Sequence, residues 1–143
     1  LKEKVWRINP ERDMPLAAER VHKISSAMLK DEPLGDAIFP LVQKVLNGVD
    51  LVVAHNGDSF DKPFIEQELA RYKLSMPKKP WFDTMLEGRW ATQYGKVPNL
   101  GELCWACGVE YNPDDAHSAI YDIRKMSECF FYGLKTGFYK PHI

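Results

Sequence analysis

The sequence predicts an α/β fold, a mixed or mainly parallel sheet flanked by helices, and three observations carry that expectation. Leu51-Val52-Val53-Ala54 is a short apolar run with the character of a buried strand, followed at once by the polar turn His55-Asn56-Gly57-Asp58-Ser59. Phe64, Ile65, Leu69 and Tyr72 then recur at helical spacing, with Pro63 in a first turn whose N–H groups are unbonded anyway. Strand-like and helix-like stretches alternate along the remainder of the chain. A strand, a polar turn and a helix in succession is how open α/β sheets present ligand-binding groups, in the crevice beyond the strand ends. Residues 51–61 are therefore the stretch around which the chain is organised.

Taken in order, Val5 to Ile8 reads as a short strand closed by the turn Asn9-Pro10-Glu11. Pro33-Leu34-Gly35-Asp36 introduces a helix with Ile38, Leu41, Val42 and Val45 as its core face. Pro40 implies either a later start or an irregular first turn, and Asn47-Gly48 ends the helix. Ser75 to Pro80 is an exposed loop by composition, and Lys78 and Lys79 read as solvated within it. Trp81-Phe82 is a second short strand. Thr84-x-x-Glu87 and Asn99-x-x-Glu102 both have the form of capping boxes. After the second, Leu100, Leu103, Cys104 and Cys107 share a helical face that Gly108 terminates. The last helix runs from about Ser118 to Leu134, leaving Lys135 to Ile143 as a tail not expected to be tied down.

Composition bounds the class. The 143 residues, 45% hydrophobic and 27% charged, suffice for a single globular domain with a real core and do not suit a disordered chain. A net charge of −1 announces no broad basic surface of the kind nucleic acid attracts, yet basic groups can be kept local, so charge does not decide the matter. Three cysteines do not suggest a disulfide framework, and Cys104 with Cys107 is half a zinc site lacking its second pair. The helical face makes both cysteines core residues. No apolar run approaches a membrane span and no signal peptide is visible, which suggests a soluble, cytoplasmic protein in a reducing compartment.

Each polar group has an ordinary explanation when taken alone. Asp61 suits a helix N-terminus, and Asn56-Gly57 makes a common turn pair. Two motifs shift the balance when read together. Asn56-Gly57-Asp58-Ser59-Phe60-Asp61 and His117-Ser118-Ala119-Ile120-Tyr121-Asp122 match Asn-x-x-x-Phe-Asp and His-x-Ala-x-x-Asp. With Val21-His22-Lys23-Ile24-Ser25 and Asp83-Thr84 as further points, the chain resembles the DEDDh, or DnaQ-like, 3′→5′ exonucleases of the ribonuclease H-like fold. His22 is read as structural, since a His in a loop packed under a sheet usually is.

The resemblance implies hydrolysis of phosphodiester bonds at nucleic-acid 3′ ends, releasing nucleoside monophosphates. It also implies a two-metal site of Mg²⁺ or Mn²⁺, with Asp61 and Asp122 as carboxylate ligands and His117 as the base that deprotonates the attacking water. The chemistry agrees, because hard divalent ions take carboxylate oxygens and an imidazole titrates near neutrality. Residues five apart on a helix point about 140° away from each other. His117 must then precede the helix or lie in its first turn for both it and Asp122 to face one site. Asn56 and Phe60 are the candidates for substrate contact, with Phe60 equally readable as core. The partner expected is nucleic acid with a free 3′ end, single-stranded DNA in the first instance. RNA is not separated from DNA by these motifs, and self-association or a polymerase-type partner is a further expectation.

The family's first motif, Asp-x-Glu on an N-terminal strand, has no counterpart before Val5; Glu3, Glu11 and Asp13 are the nearest acids, and none sits in a matching apolar strand. The sequence therefore reads as one exonuclease-like domain, residues 1–143, lacking its first strands, and as a poor nuclease in that form. The contrasting class is a non-catalytic nucleic-acid-binding or assembly module that kept the fold. Retention of Asp61, His117 and Asp122 together favours the enzyme.

Overall fold

The computed structural model describes residues 2–116 and 118–142. The backbone gathers into two units, Leu1–Gly48 with Ile65–Pro77, and Val49–Phe64 with Lys78–Ile143.

In the first unit, α1 (Leu16–His22) and α2 (Ser26–Leu29) are short, and α3 (Gly35–Asn47) is the main helix. Ser25 caps α2 by accepting a hydrogen bond from the Met28 amide at 3.2 Å. His22 is structural as expected, its Nδ1 accepting the Ile24 amide at 3.0 Å. Helix α3 starts before Pro40 and runs through it, and its first turn is tight, with the Ala37 amide bonded to the Leu34 carbonyl. Its buried face is Gly35, Ile38, Phe39 and Leu46, whereas Leu41 and Val45 are exposed. The expected face is thus displaced around the helix. The reason is Tyr72, whose ring stacks on Phe39 at 5.6 Å and leaves no room for a side chain at Gly35.

The strand expected at Val5 to Ile8 does not form. Only an isolated parallel bridge between Asn9 and Leu34 is made there, supported by the Asn9 side chain donating to the Lys30 carbonyl. An apolar pattern without a neighbouring backbone to complete the ladder remains irregular.

The second unit holds the sheet. β1 (Val52–Ala54) and β2 (Trp81–Asp83) pair in parallel, with Val52, Val53 and Ala54 opposite Trp81, Phe82 and Asp83. Between them in sequence, α4 (Asp61–Arg71) opens in this unit and carries Pro63 in its first turn, as expected. α5 (Leu100–Cys107) begins at a true capping box, Asn99 accepting from the Glu102 amide at 2.8 Å and Glu102 from the Asn99 amide at 3.1 Å. It ends at Gly108, whose φ of 69° is left-handed. α6 (Ala119–Thr136) packs against α5.

The core comprises Phe82, Leu103, Cys104, Cys107, Cys129, Phe130 and Tyr139. All three cysteines are free and buried, Cys104 and Cys107 as their helical spacing implied. Two expectations fail here. Thr84 does not cap a helix, because residues 86–91 form a 3₁₀ turn and the Thr84 hydroxyl is engaged elsewhere. The tail beyond α6 is anchored: Tyr139 is 2% exposed, its hydroxyl donates to the Thr84 carbonyl at 2.7 Å, and Phe138 stacks on Trp90 at 4.7 Å. Among the described residues, no helix is long and apolar enough to cross a membrane.

Candidate functional site

The site is built where the parallel pair ends. His55 follows β1 directly, with Nε2 3.1 Å from the Pro98 carbonyl and Nδ1 2.9 Å from the Thr84 hydroxyl. A carbonyl only accepts, so Nε2 carries the proton and Nδ1 accepts from the threonine. Burial lowers the His55 pKa, while the Pro98 bond and the negative charges of Asp83 and Asp122 oppose that shift. The imidazole is a neutral cross-brace between the end of β1, the residue after β2 and the start of α5.

The turn after His55 is held from the neighbouring strand. Asn56 has a φ of 62°, a left-handed conformation that asparagine tolerates better than most residues. At Gly57 a Cβ would stand 2.5 Å from that of Ala54, so the turn closes tightly on its own strand. Asp83, the last residue of β2, is 4% exposed. Its Oδ1 accepts the amides of Asn56 at 2.9 Å, Met85 at 2.9 Å and Leu86 at 3.3 Å, and its Oδ2 accepts that of Asp58 at 3.2 Å. The motif reading passed over this carboxylate. The only signal for it was the Asp83-Thr84 pair, whose two side chains both reach across to the β1 turn.

Asp61 opens α4 and is half-buried. Burial raises its pKa first, and the charge of Asp83 raises it further against the lowering effect of its own backbone N–H. Among the described residues no cation forms an ion pair with it. Asp122 lies in the first turn of α6, where its Oδ1 accepts the Tyr111 hydroxyl at 3.1 Å. The Tyr111 pKa is pushed up to about 12 by burial and then by the Asp122 charge. Both aspartates thus stand at helix starts, and the fields of Asp83 and Asp122 meet at His55. His117, named above as the base, lies outside the described residues. α6 begins just after it, at Ala119 with Ser118 at the N-cap position, although the Ser118 side chain makes no cap bond.

Of the two substrate-contact candidates, Phe60 is 67% exposed, which removes the core alternative for it. Its ring lies parallel to that of Phe64, itself exposed, with centroids 6.4 Å apart. The Asn56 side-chain amide has no hydrogen-bond partner among the described residues.

The donor chemistry fits a hard divalent ion, since Asp61 and Asp122 are carboxylates and the charge of Asp61, disfavoured by burial and then by Asp83, is one a cation would stabilise. Asp83 has its oxygens committed to four amides and is not a donor. Among the described residues no three His, Cys, Asp or Glu side chains gather around one point.

Comparison with known proteins shows the family. The RNase_T family model, described as exonuclease, matches residues 2–130. DNA polymerase III subunit epsilon of Rickettsia felis is 33% identical over 127 residues, covering 86% of this chain and 54% of the relative. Ribonuclease T of Vibrio campbellii is 33% identical over 114 residues, 75% of this chain and 51% of that protein. The PolC-type DNA polymerase III of Mycoplasma pneumoniae is 29% identical over 120 residues, 83% of this chain and 8% of the polymerase. The chain therefore spans about half the length of the first two relatives and a small part of the third. Among solved structures, exonuclease X in complex with 5′ overhanging duplex DNA superposes with a TM-score of 0.64 at 24% identity, covering 94% of this chain and 74% of that one, a likeness of fold. With a parallel pair flanked by helices, an aspartate at the start of α4 and a family match over nearly its whole length, the chain belongs to the RNase_T, or DnaQ-like, exonuclease family.

Proposed function

We propose that this chain acts as a divalent-metal-dependent 3′→5′ exonuclease that releases nucleoside monophosphates from single-stranded DNA. The observation that carries the reading is Asp61, a carboxylate whose charge is disfavoured first by burial and then by the charge of Asp83, and which no cation offsets among the described residues. Asp61 and Asp122 would hold Mg²⁺ or Mn²⁺, which when bound supplies Lewis-acid stabilisation of the charge developing on the phosphoryl oxygens. His117 takes the proton from the attacking water, a task suited to an imidazole. Asn56 hydrogen-bonds the terminal nucleotide with its uncommitted amide, and Phe60 offers an exposed ring for base stacking, which is tolerant of sequence. A polymerase-type partner is part of the proposal, resting on relatives that are subunits or segments of DNA polymerase III.

The test uses 5′-labelled single-stranded DNA with Mg²⁺, Mn²⁺ or a chelator, beside a 3′-blocked strand, a matching RNA strand and the Asp61→Asn variant. Stepwise shortening from the 3′ end that needs metal and falls at least about 100-fold in the variant is expected, as for loss of a group stabilising developing charge. Internal cleavage, or activity indifferent to the chelator and to Asp61→Asn, refutes the reading. DNA binding without hydrolysis favours the non-catalytic module.

A further inference from the structure

We infer that Asp83 is a positioning residue, whose carboxylate sets the Asn56–Asp58 turn against the end of β2 and thereby presents Asn56 and the start of α4 to the substrate. The inference rests on the exonuclease reading for what is presented, and on geometry alone for how it is held. The turn lies outside any helix or strand, so its amides need acceptors that the ladder does not provide. Asp83 supplies them to Asn56 and Asp58, residues 27 and 25 positions earlier in the chain, while anchoring itself through Met85 and Leu86. A carboxylate is suited to this because it is acceptor-only on both oxygens. Three N–H groups reach its Oδ1 and one its Oδ2, so both oxygens are partnered in a site with almost no solvent. Asn56 in its left-handed conformation is the residue most dependent on the clamp, since its backbone is not self-supporting there. Asp83 touches neither substrate nor metal in this scheme. It acts through the turn.

The substitution Asp83→Asn isolates the effect. Its carbonyl oxygen can still accept on the Oδ1 side, but its amide nitrogen is a donor facing the Asp58 N–H, so that single bond is lost. Amide hydrogen exchange on the intact chain should show the Asn56 and Asp58 amides protected in the wild type. Asp58 should exchange at least about tenfold faster in Asp83→Asn, while amides of α5 keep their wild-type rates. In kinetics, Asp83→Asn and Asn56→Gly should each reduce kcat/KM, and the double variant should lose no more than the worse single one, because both act through one turn. Equal acceleration of exchange throughout the unit, or additive losses in the double variant, overturns the inference. If Asp83→Asn does not fold, the wild type alone decides: Asn56 and Asp58 amides that exchange as fast as free turn amides overturn it. A wild-type chain that shows protected amides without hydrolysing DNA fails the exonuclease reading and leaves the clamp standing.

Discussion

Asn56 allows side-chain chemistry to be separated from backbone strain. Its φ of 62° places a Cβ-bearing residue in the left-handed region, and its side-chain amide makes no hydrogen bond among the described residues. Replacing it therefore removes no internal side-chain bond. What changes in stability is the backbone. Alanine has neither glycine's freedom nor asparagine's tolerance there, and a left-handed non-glycine residue costs roughly 1–2 kcal/mol. Asn56→Gly carries no such strain, so Asn56→Ala should be less stable than Asn56→Gly by about 1 kcal/mol after glycine's greater unfolded-state entropy is allowed for. For a chain of 143 residues that difference is a gap of roughly 3–4 °C in melting temperature. Both variants lack the amide, so both should lose substrate use alike when assayed well below either melting temperature. Thermal denaturation and single-turnover release of the 3′ nucleotide read the two effects separately. Equal melting temperatures would refute the strain argument. Wild-type kinetics in Asn56→Gly would show that the amide does not serve the substrate.

Three further outcomes are expected. Burial lowers the His55 pKa, so the neutral form is the folded form; its contribution to stability is complete above the unfolded value of about 6.5 and declines as pH falls from there to the lower folded value. His55→Gln should flatten the pH dependence of the urea midpoint across that window, and an unchanged slope contradicts the assignment. Gly133→Ala gains about 1 kcal/mol of helix propensity but sets a methyl group into the Tyr139 ring, costing about 1–3 kcal/mol by overpacking and about 1 more if the Thr84 bond is lost. A urea midpoint at or above that of wild type refutes that balance. Asn99→Ala removes the side chain that caps α5 and should cost about 1 kcal/mol. An unchanged melting curve shows that the cap is redundant.

The sequence was most legible where a local signal coincides with its tertiary role. α4 with Pro63 and the Asn99 box formed where pattern and chemistry placed them because each depends on residues within a few positions, whereas β1 and β2, although their apolar runs were legible, complete their ladder only with each other across 29 positions. The pattern misled where the partner is distant. Thr84 has the spacing of a cap, yet its hydroxyl is taken by His55, 29 positions earlier. Leu41 and Val45 fit a helical stripe, yet the Phe39–Tyr72 stack turned the buried face elsewhere. Val5 to Ile8 has strand-like residues but, among the described residues, no adjacent strand. For the site, motif matching named Asp61, Asn56, Phe60 and Asp122 as candidates and read past the clamp that Asp83 makes on the turn. A residue that works by accepting backbone amides from a turn at least 25 positions away leaves no periodicity and no spacing of its own.

The hydroxyl bond from Tyr139 to Thr84 bears on how the protein is made as well as on how it stands. The two residues are 55 positions apart, and Tyr139 also meets the Phe82 ring edge-on at 5.0 Å. During synthesis at roughly 5–20 residues per second, Thr84 leaves the ribosome's catalytic centre roughly 3–11 s before Tyr139 does. Through that interval the carboxyl end of β2, the strand that carries Asp83, lacks the aromatic cover that completes its core. Phe82 and Trp90, which both meet the Tyr139 ring edge-on, therefore stand without that contact until residue 139 has been added.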